Sequence, residues 1–135
     1  MSQFSFEARH TYGESFGLDV SFRVDYPVTF LFGPSGSGKT TVLEIIAGLR
    51  RPGNGRIHLH DSVLLDTDRG IDVRPQDRGV GMVFQDQALF PHFTVERNLR
   101  YGERRRGSKR DAVDFDRVVD VLEVGPLLDR HPVAL

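Results

Sequence analysis

The residues with the clearest chemical purpose are Gly33, Pro34, Ser35, Gly36, Ser37, Gly38, Lys39 and Thr40. Their order fits G-x-x-x-x-G-K-[ST], the phosphate-binding P-loop. Glycine at these points permits backbone angles that side chains forbid, so the loop's N–H groups can converge on phosphate oxygens. A helix starting just beyond adds partial positive charge. Lys39 is placed to reach the β- and γ-phosphates. Thr40 is placed to set its hydroxyl on Mg²⁺, with Thr41 in support. The same letters could be a glycine-rich turn with an exposed lysine, but the strand and helix patterns on either side argue against it.

Other positions invite a chemical reading. Gln85 leaves the end of the apolar run 80–84, where α/β proteins place ligand contacts. Its side-chain carbonyl could bind Mg²⁺ or an attacking water, or the residue could simply end a strand. Tyr12 could stack on adenine or serve as a turn residue, whereas Phe16 reads as core. His58 and His60 alternate on one predicted strand face with no third ligand nearby, so they read as exposed strand histidines. Residues 89–93, Leu-Phe-Pro-His-Phe, are unusually apolar for a loop. They either pack inward or form a docking surface.

The elements that must carry these residues follow from periodicity. Alternation predicts strands over 4–10 and 16–24, joined by a turn at Tyr12 and Gly13 into an antiparallel hairpin. Residues 28–32 read as a buried strand feeding the glycine loop. A helix over 39–49 turns Val42, Ile45, Ile46 and Leu49 to one side, with Gly48 as its C-cap. Residues 56–60 and 62–66 predict a second hairpin, 66–78 a polar, proline-containing loop, and 80–84 another buried strand. Thr94 is a good N-cap for a short helix over 95–101. A basic linker spans 103–110 and reads as a solvated charge run. A helix over 111–124 turns Phe115, Val118, Val121 and Leu122 inward, and a further short helix starts at Pro126.

Composition bounds the rest. The length suits one domain with a modest core. The formal net charge of −1 gives no global field toward nucleic acid or acidic lipid. There is no Cys, so neither disulfides nor thiolate metal sites arise. No apolar run approaches the ~20 residues that span a bilayer. The first residues lack the basic and apolar regions of a signal peptide.

Taken together, these stretches resemble the ATP-binding subunit of ABC transporters. The most specific pieces are residues 33–41, Ile46 to Leu49, and 83–92 with Gln85 at their centre. Arg69, Gly70, Ile71 and the run from Leu89 through Asn98 to Gly102 look most like molybdate importers; sulfate, iron and polyamine importers share much of this. The resemblance implies an α/β fold: a P-loop NTPase nucleotide-binding domain with an antiparallel β-subdomain, truncated within the helical subdomain. Residues 1–84 would be the β-subdomain and P-loop core, 85–94 the Q-loop, and 95–135 the start of the helical subdomain. ATP would be held by Gly33, Pro34, Ser35, Gly36, Ser37, Gly38, Lys39, Thr40 and Thr41, with Tyr12 on the adenine. Mg²⁺ would be held by Thr40 and Gln85, and Lys39 and Gln85 would be the catalytic residues. The implied partners are transmembrane permease subunits, met through about 85–94, and a second ATP-binding subunit in a homodimer. No nucleic-acid partner is implied. The implied place is cytoplasmic, peripheral on the inner face of the cell membrane.

The family also carries a signature motif, an apolar run ending in Asp and a catalytic Glu, and a later switch His. None occurs in these 135 residues. The chain therefore resembles the front of such a domain, with Leu135 expected to be the signature's first Leu. Alone, it is expected to bind ATP–Mg²⁺ without turnover. Two rival readings remain at this point: a small P-loop kinase with Asp66 on Mg²⁺ and Arg104 to Arg106 near the transferred phosphate, and a non-catalytic nucleotide-binding module.

Overall fold

Alternating apolar and polar residues make the first hairpin. The computed structural model describes residues 3–13, 16–85, 88–105 and 114–134. In it β1 (Phe4–Tyr12) pairs antiparallel with β2 (Phe16–Val24). Phe6 lies opposite Phe22, and their rings stack at 5.1 Å. Tyr12 is thus the last residue of a strand, not a turn residue, because the ladder continues two residues past His10 to the Tyr12–Phe16 pair. The side chain of Phe16 lies outside the described part, as do Glu14 and Ser15.

Three more strands complete an antiparallel sheet of order β2-β1-β3-β4-β5. They are β3 (Asn54–Leu59), β4 (Ser62–Asp66) and β5 (Ile71–Asp72). β1 also pairs with β3, with Phe6 opposite Ile57 and Ala8 opposite Gly55. Gly55 is there because the backbones crowd: a Cβ on it would lie 2.7 Å from the Glu7 carbonyl oxygen. Gly55→Ala should therefore destabilise the fold by about 1–3 kcal/mol, the usual range for overpacking. A urea melt would read this, and an unchanged midpoint would mean the strands can part freely.

The β3–β4 register shifts after Ile57: Ile57 faces Leu65 and His58 faces Val63. Leu64 is the extra residue, and both it and Leu65 are buried. His60 does not share a strand with His58. It sits in the turn at φ 51, and this corrects the expected alternation.

One helix covers this sheet. α1 (Lys39–Ala47) buries Val42 and Ile45 against Phe6, Ala8, Leu18, Ile57, Leu64 and Leu65. It stops at Gly48, whose left-handed φ of 78 ends the helix as expected. The stop leaves Leu49 outside the helix and exposed, where the sequence pattern had put it on the inner face.

Two expected strands do not form. Residues 28–32 and 80–84 carry no ladder among the described residues. Phe32 is 98% and Val83 97% exposed. A β-forming run becomes a strand only when another strand supplies its hydrogen bonds, and here none does. Val80 alone packs against the core.

The chain divides into two compact units, Met1–Val83 and Phe84–Leu135. In the second, α2 (Val95–Leu99) is capped by Thr94, whose hydroxyl accepts from the Arg97 N–H. The N–H groups of Val95 and Glu96 donate to the carbonyls of Arg130 and Leu128. A 3-10 turn at Arg100–Arg105 follows. α3 (Phe115–Val121) is capped by Asp114 and buries Val119, with Arg100 lying 3.7 Å from the Phe115 ring centroid. Val121 and Leu122, expected inward, are exposed, because the helix ends at Val121 and its inner side falls on Val119. The expected start of that helix at 111–113 and the linker residues 106–110 lie outside the described residues, as does Leu135. The helix expected from Pro126 is a 3-10 turn, Gly125–Leu127.

Candidate functional site

The glycine loop turns tightly into α1. The Ser37 N–H donates to the Pro34 carbonyl at 3.2 Å, and the Val42 N–H closes the first helical bond onto Gly38 at 3.0 Å. Gly38 holds φ 92, and a Cβ there would lie 2.8 Å from Leu18 Cδ1. A Cβ on Gly33 would lie 2.8 Å from Ser37 Oγ. No other residue fits either position without movement. At its N-terminus α1 has no side-chain cap and no acidic residue in its first turn. That is the electrostatic setting an anion requires.

Lys39 reaches back over the loop. Its ammonium donates to the Gly33 carbonyl at 2.9 Å, the Pro34 carbonyl at 2.7 Å and Ser37 Oγ at 3.4 Å. The next two residues divide. Thr40 is exposed, whereas Thr41 is buried and its hydroxyl is hydrogen-bonded to Tyr12. The structure thus brings Tyr12, from the far end of β1, to the first turn of α1. Thr41 spends its hydroxyl on Tyr12, beside the loop. Arg50 lies over the Tyr12 ring at 5.4 Å and pairs with Glu44 at 2.6 Å. The hydrogen bond that Arg50 donates to the Glu44 carboxylate holds its pKa above the ordinary value, with a smaller charge contribution from the same carboxylate.

The other end of α1 is held by a residue that sequence reasoning missed. Arg78, with its side chain 1% exposed, donates to the carbonyls of Ile45 at 2.8 Å and Ile46 at 2.9 Å. It also donates to the Val73 carbonyl at 2.7 Å and to Asp72 at 2.9 Å. A cation at a helix C-terminus is favourable. No local pattern marks it, since its helix partners are 33 and 32 residues away.

Asp66, the metal ligand of the kinase reading, is committed to the fold. Its buried carboxylate accepts from the N–H groups of Asp68 and Arg69, both at 3.1 Å, with Arg56 3.8 Å away. Of that reading's other residues, Arg106 lies outside the described part, as do the side chains of Arg104 and Arg105.

In the second unit Gln85 is exposed at a bend, and Asp86 and Gln87 lie outside the described residues. The apolar loop beyond packs on itself. Phe90 lies 5.4 Å from Phe93 and 4.6 Å from Tyr101, with Arg97 over Phe93 at 4.1 Å. Asn98 pins it: its amide accepts from the Phe90 N–H at 2.8 Å and donates to the carbonyls of Phe90, Phe93 and Thr94. Leu89 and Phe90 remain part-exposed. Among the described residues there is no group of three His, Cys, Asp or Glu that could hold a metal. No described helix is long and apolar enough to cross a membrane.

An uncapped helix start behind a glycine loop, with a lysine folded over it, defines a P-loop protein. The family profile "ABC transporter" matches residues 19–134, and the chain belongs to that family. It is similar to the molybdenum import ATP-binding protein ModC of Mesorhizobium japonicum, with 49% identity over 126 residues, 93% of this chain and 34% of that one. ModC of Rhodospirillum rubrum is 49% identical over 118 residues, 87% of this chain and 32% of the other. The chain thus spans about a third of the length of these curated relatives. A solved ATP-binding cassette of an ABC transporter superposes with a TM-score of 0.75 at 25% identity, over 100% of this chain and 59% of that one.

Proposed function

We propose that this chain is the ATP-gripping part of an ABC importer ATPase that couples ATP hydrolysis to solute uptake, with molybdate as the solute. One observation carries the reading: the Lys39 ammonium sits on the glycine loop, 2.9 Å from the Gly33 carbonyl, at the foot of an uncapped helix. Residues 33–41 grip the triphosphate through loop N–H groups and Lys39. Tyr12, tied to Thr41 beside that grip, takes the adenine. Thr40, exposed beside it, offers a hydroxyl to Mg²⁺, and Gln85 offers its side-chain carbonyl. An oxygen-seeking ion that keeps much of its shell from phosphate and water suits so sparse a protein contribution. When bound, Mg²⁺ neutralises charge developing on the transferred phosphoryl group. Residues 85–94 meet a transmembrane permease at the inner face of the membrane, and two such subunits act together. The names of the relatives, molybdenum import proteins, support the choice of solute.

The whole protein, reconstituted with its permease in vesicles, should hydrolyse ATP and take up molybdate in preference to sulfate. The 135-residue chain by itself should bind ATP without steady turnover. Preferred uptake of another solute would remove molybdate and leave the ATPase reading. Steady phosphate transfer from ATP to a small acceptor would replace the reading with a kinase.

A further inference from the structure

Three of the contacts of Tyr12 lie among the described residues and bear on its ring and hydroxyl. Its hydroxyl is bonded to Thr41 on α1, its ring meets His10 edge-on at 4.6 Å, and the Arg50 guanidinium lies over the ring at 5.4 Å. The last distance is within the range of a cation–π contact. A free arginine samples many rotamers. Here Glu44 accepts from Nε at 2.6 Å, and the Arg50 N–H turns onto the Glu44 carbonyl at 3.3 Å. Glu44 belongs to α1, the helix that begins at Lys39. The phosphate loop and the support of the Tyr12 ring are thus built on one rigid rod.

We propose that Arg50, locked by Glu44, is a positioning residue for the nucleobase. It backs the Tyr12 ring in a fixed plane and so makes the chain favour a base-bearing triphosphate over bare polyphosphate. The proposal rests on the reading of residues 33–41 as a triphosphate grip and of Tyr12 as the base platform. Its physical content is preorganisation. A ring already held in place need not be ordered when a base stacks on it, so less of the stacking free energy is lost. Arg50 acts through the ring and touches neither phosphate nor metal.

The test compares two ligands on the 135-residue chain. MgATP and inorganic tripolyphosphate with Mg²⁺ are titrated separately by calorimetry. The wild type should bind ATP more tightly than tripolyphosphate. Arg50→Ala should weaken ATP about three- to tenfold and leave tripolyphosphate within about twofold. Glu44→Gln, which keeps the guanidinium but loosens its hold, should shift ATP the same way by less. In a Tyr12→Ala background, Arg50→Ala should add nothing further. Equal losses for the two ligands, or unchanged ATP binding, overturn the proposal. A wild type that prefers neither ligand removes the Tyr12 platform and the proposal with it. A wild type that binds neither removes the phosphate grip as well. If Arg50→Ala does not fold, Glu44→Gln and Arg50→Lys carry the same comparison.

Discussion

Lys39→Ala is expected to lower ATP affinity roughly tenfold to a hundredfold, the equivalent of losing one charge-assisted hydrogen bond of ~1.5–3 kcal/mol. The ammonium lies over the glycine loop proposed to grip the phosphates, held by the carbonyls of Gly33 and Pro34 at 2.9 and 2.7 Å. On binding it can exchange neutral carbonyl acceptors for charged phosphate oxygens, and that difference is what alanine removes. The fold should lose little. The bond to Pro34 is exposed, so water can replace the missing donor. Calorimetry gives the affinity and a thermal melt gives the control. Equal ATP affinity in a folded mutant would sink the P-loop assignment.

Arg78→Ala should have the largest effect on stability. One guanidinium spans the end of α1, the strand β5 and the loop after it, with four hydrogen bonds to backbone carbonyls and Asp72 no longer than 2.9 Å. Removing one partner of such a buried set typically costs about 3–5 kcal/mol, a large fraction of the stability of an ordinary domain. Asp72 is part-exposed and can recover water, which puts the expectation at the lower end. Arg78→Lys keeps the charge but not the planar fork, so it should recover less than about half of the loss. Urea melts of the three proteins decide this. Unfolding free energies within about 1 kcal/mol of one another would mean that Arg78 is a bystander.

What the sequence made legible was local. The alternation of β1 and β2, the N-cap at Thr94, the stop at Gly48 and the whole glycine loop each depend on residues a few places apart. Lys39 could be proposed as a phosphate contact because its motif is contiguous. What was illegible depends on distant partners. Residues 28–32 and 80–84 have strand composition, but strand character is a property of a pair, and no strand pairs with them among the described residues. The extra residue at Leu64 shifts a register that simple alternation cannot anticipate. Arg78 reads as one more charged residue in a polar loop until the fold brings α1 to it. The tie between Tyr12 and Thr41 spans 29 residues and was equally hidden.

The two capped helix starts and the bare one have a consequence for measurement. Thr94 and the carbonyls of Leu128 and Arg130 occupy the first donors of α2, and Asp114 serves α3. α1 alone among these three begins without a side-chain cap. A ligand that completes its first turn binds the folded chain and has nothing comparable to hold in the unfolded one. Its binding free energy is therefore added to the free energy of folding. At a concentration a hundred times its dissociation constant the gain is about 2.7 kcal/mol. The melting temperature of the chain thus becomes a gauge of occupancy at that helix, calibrated by ligand concentration and readable without any transport or turnover.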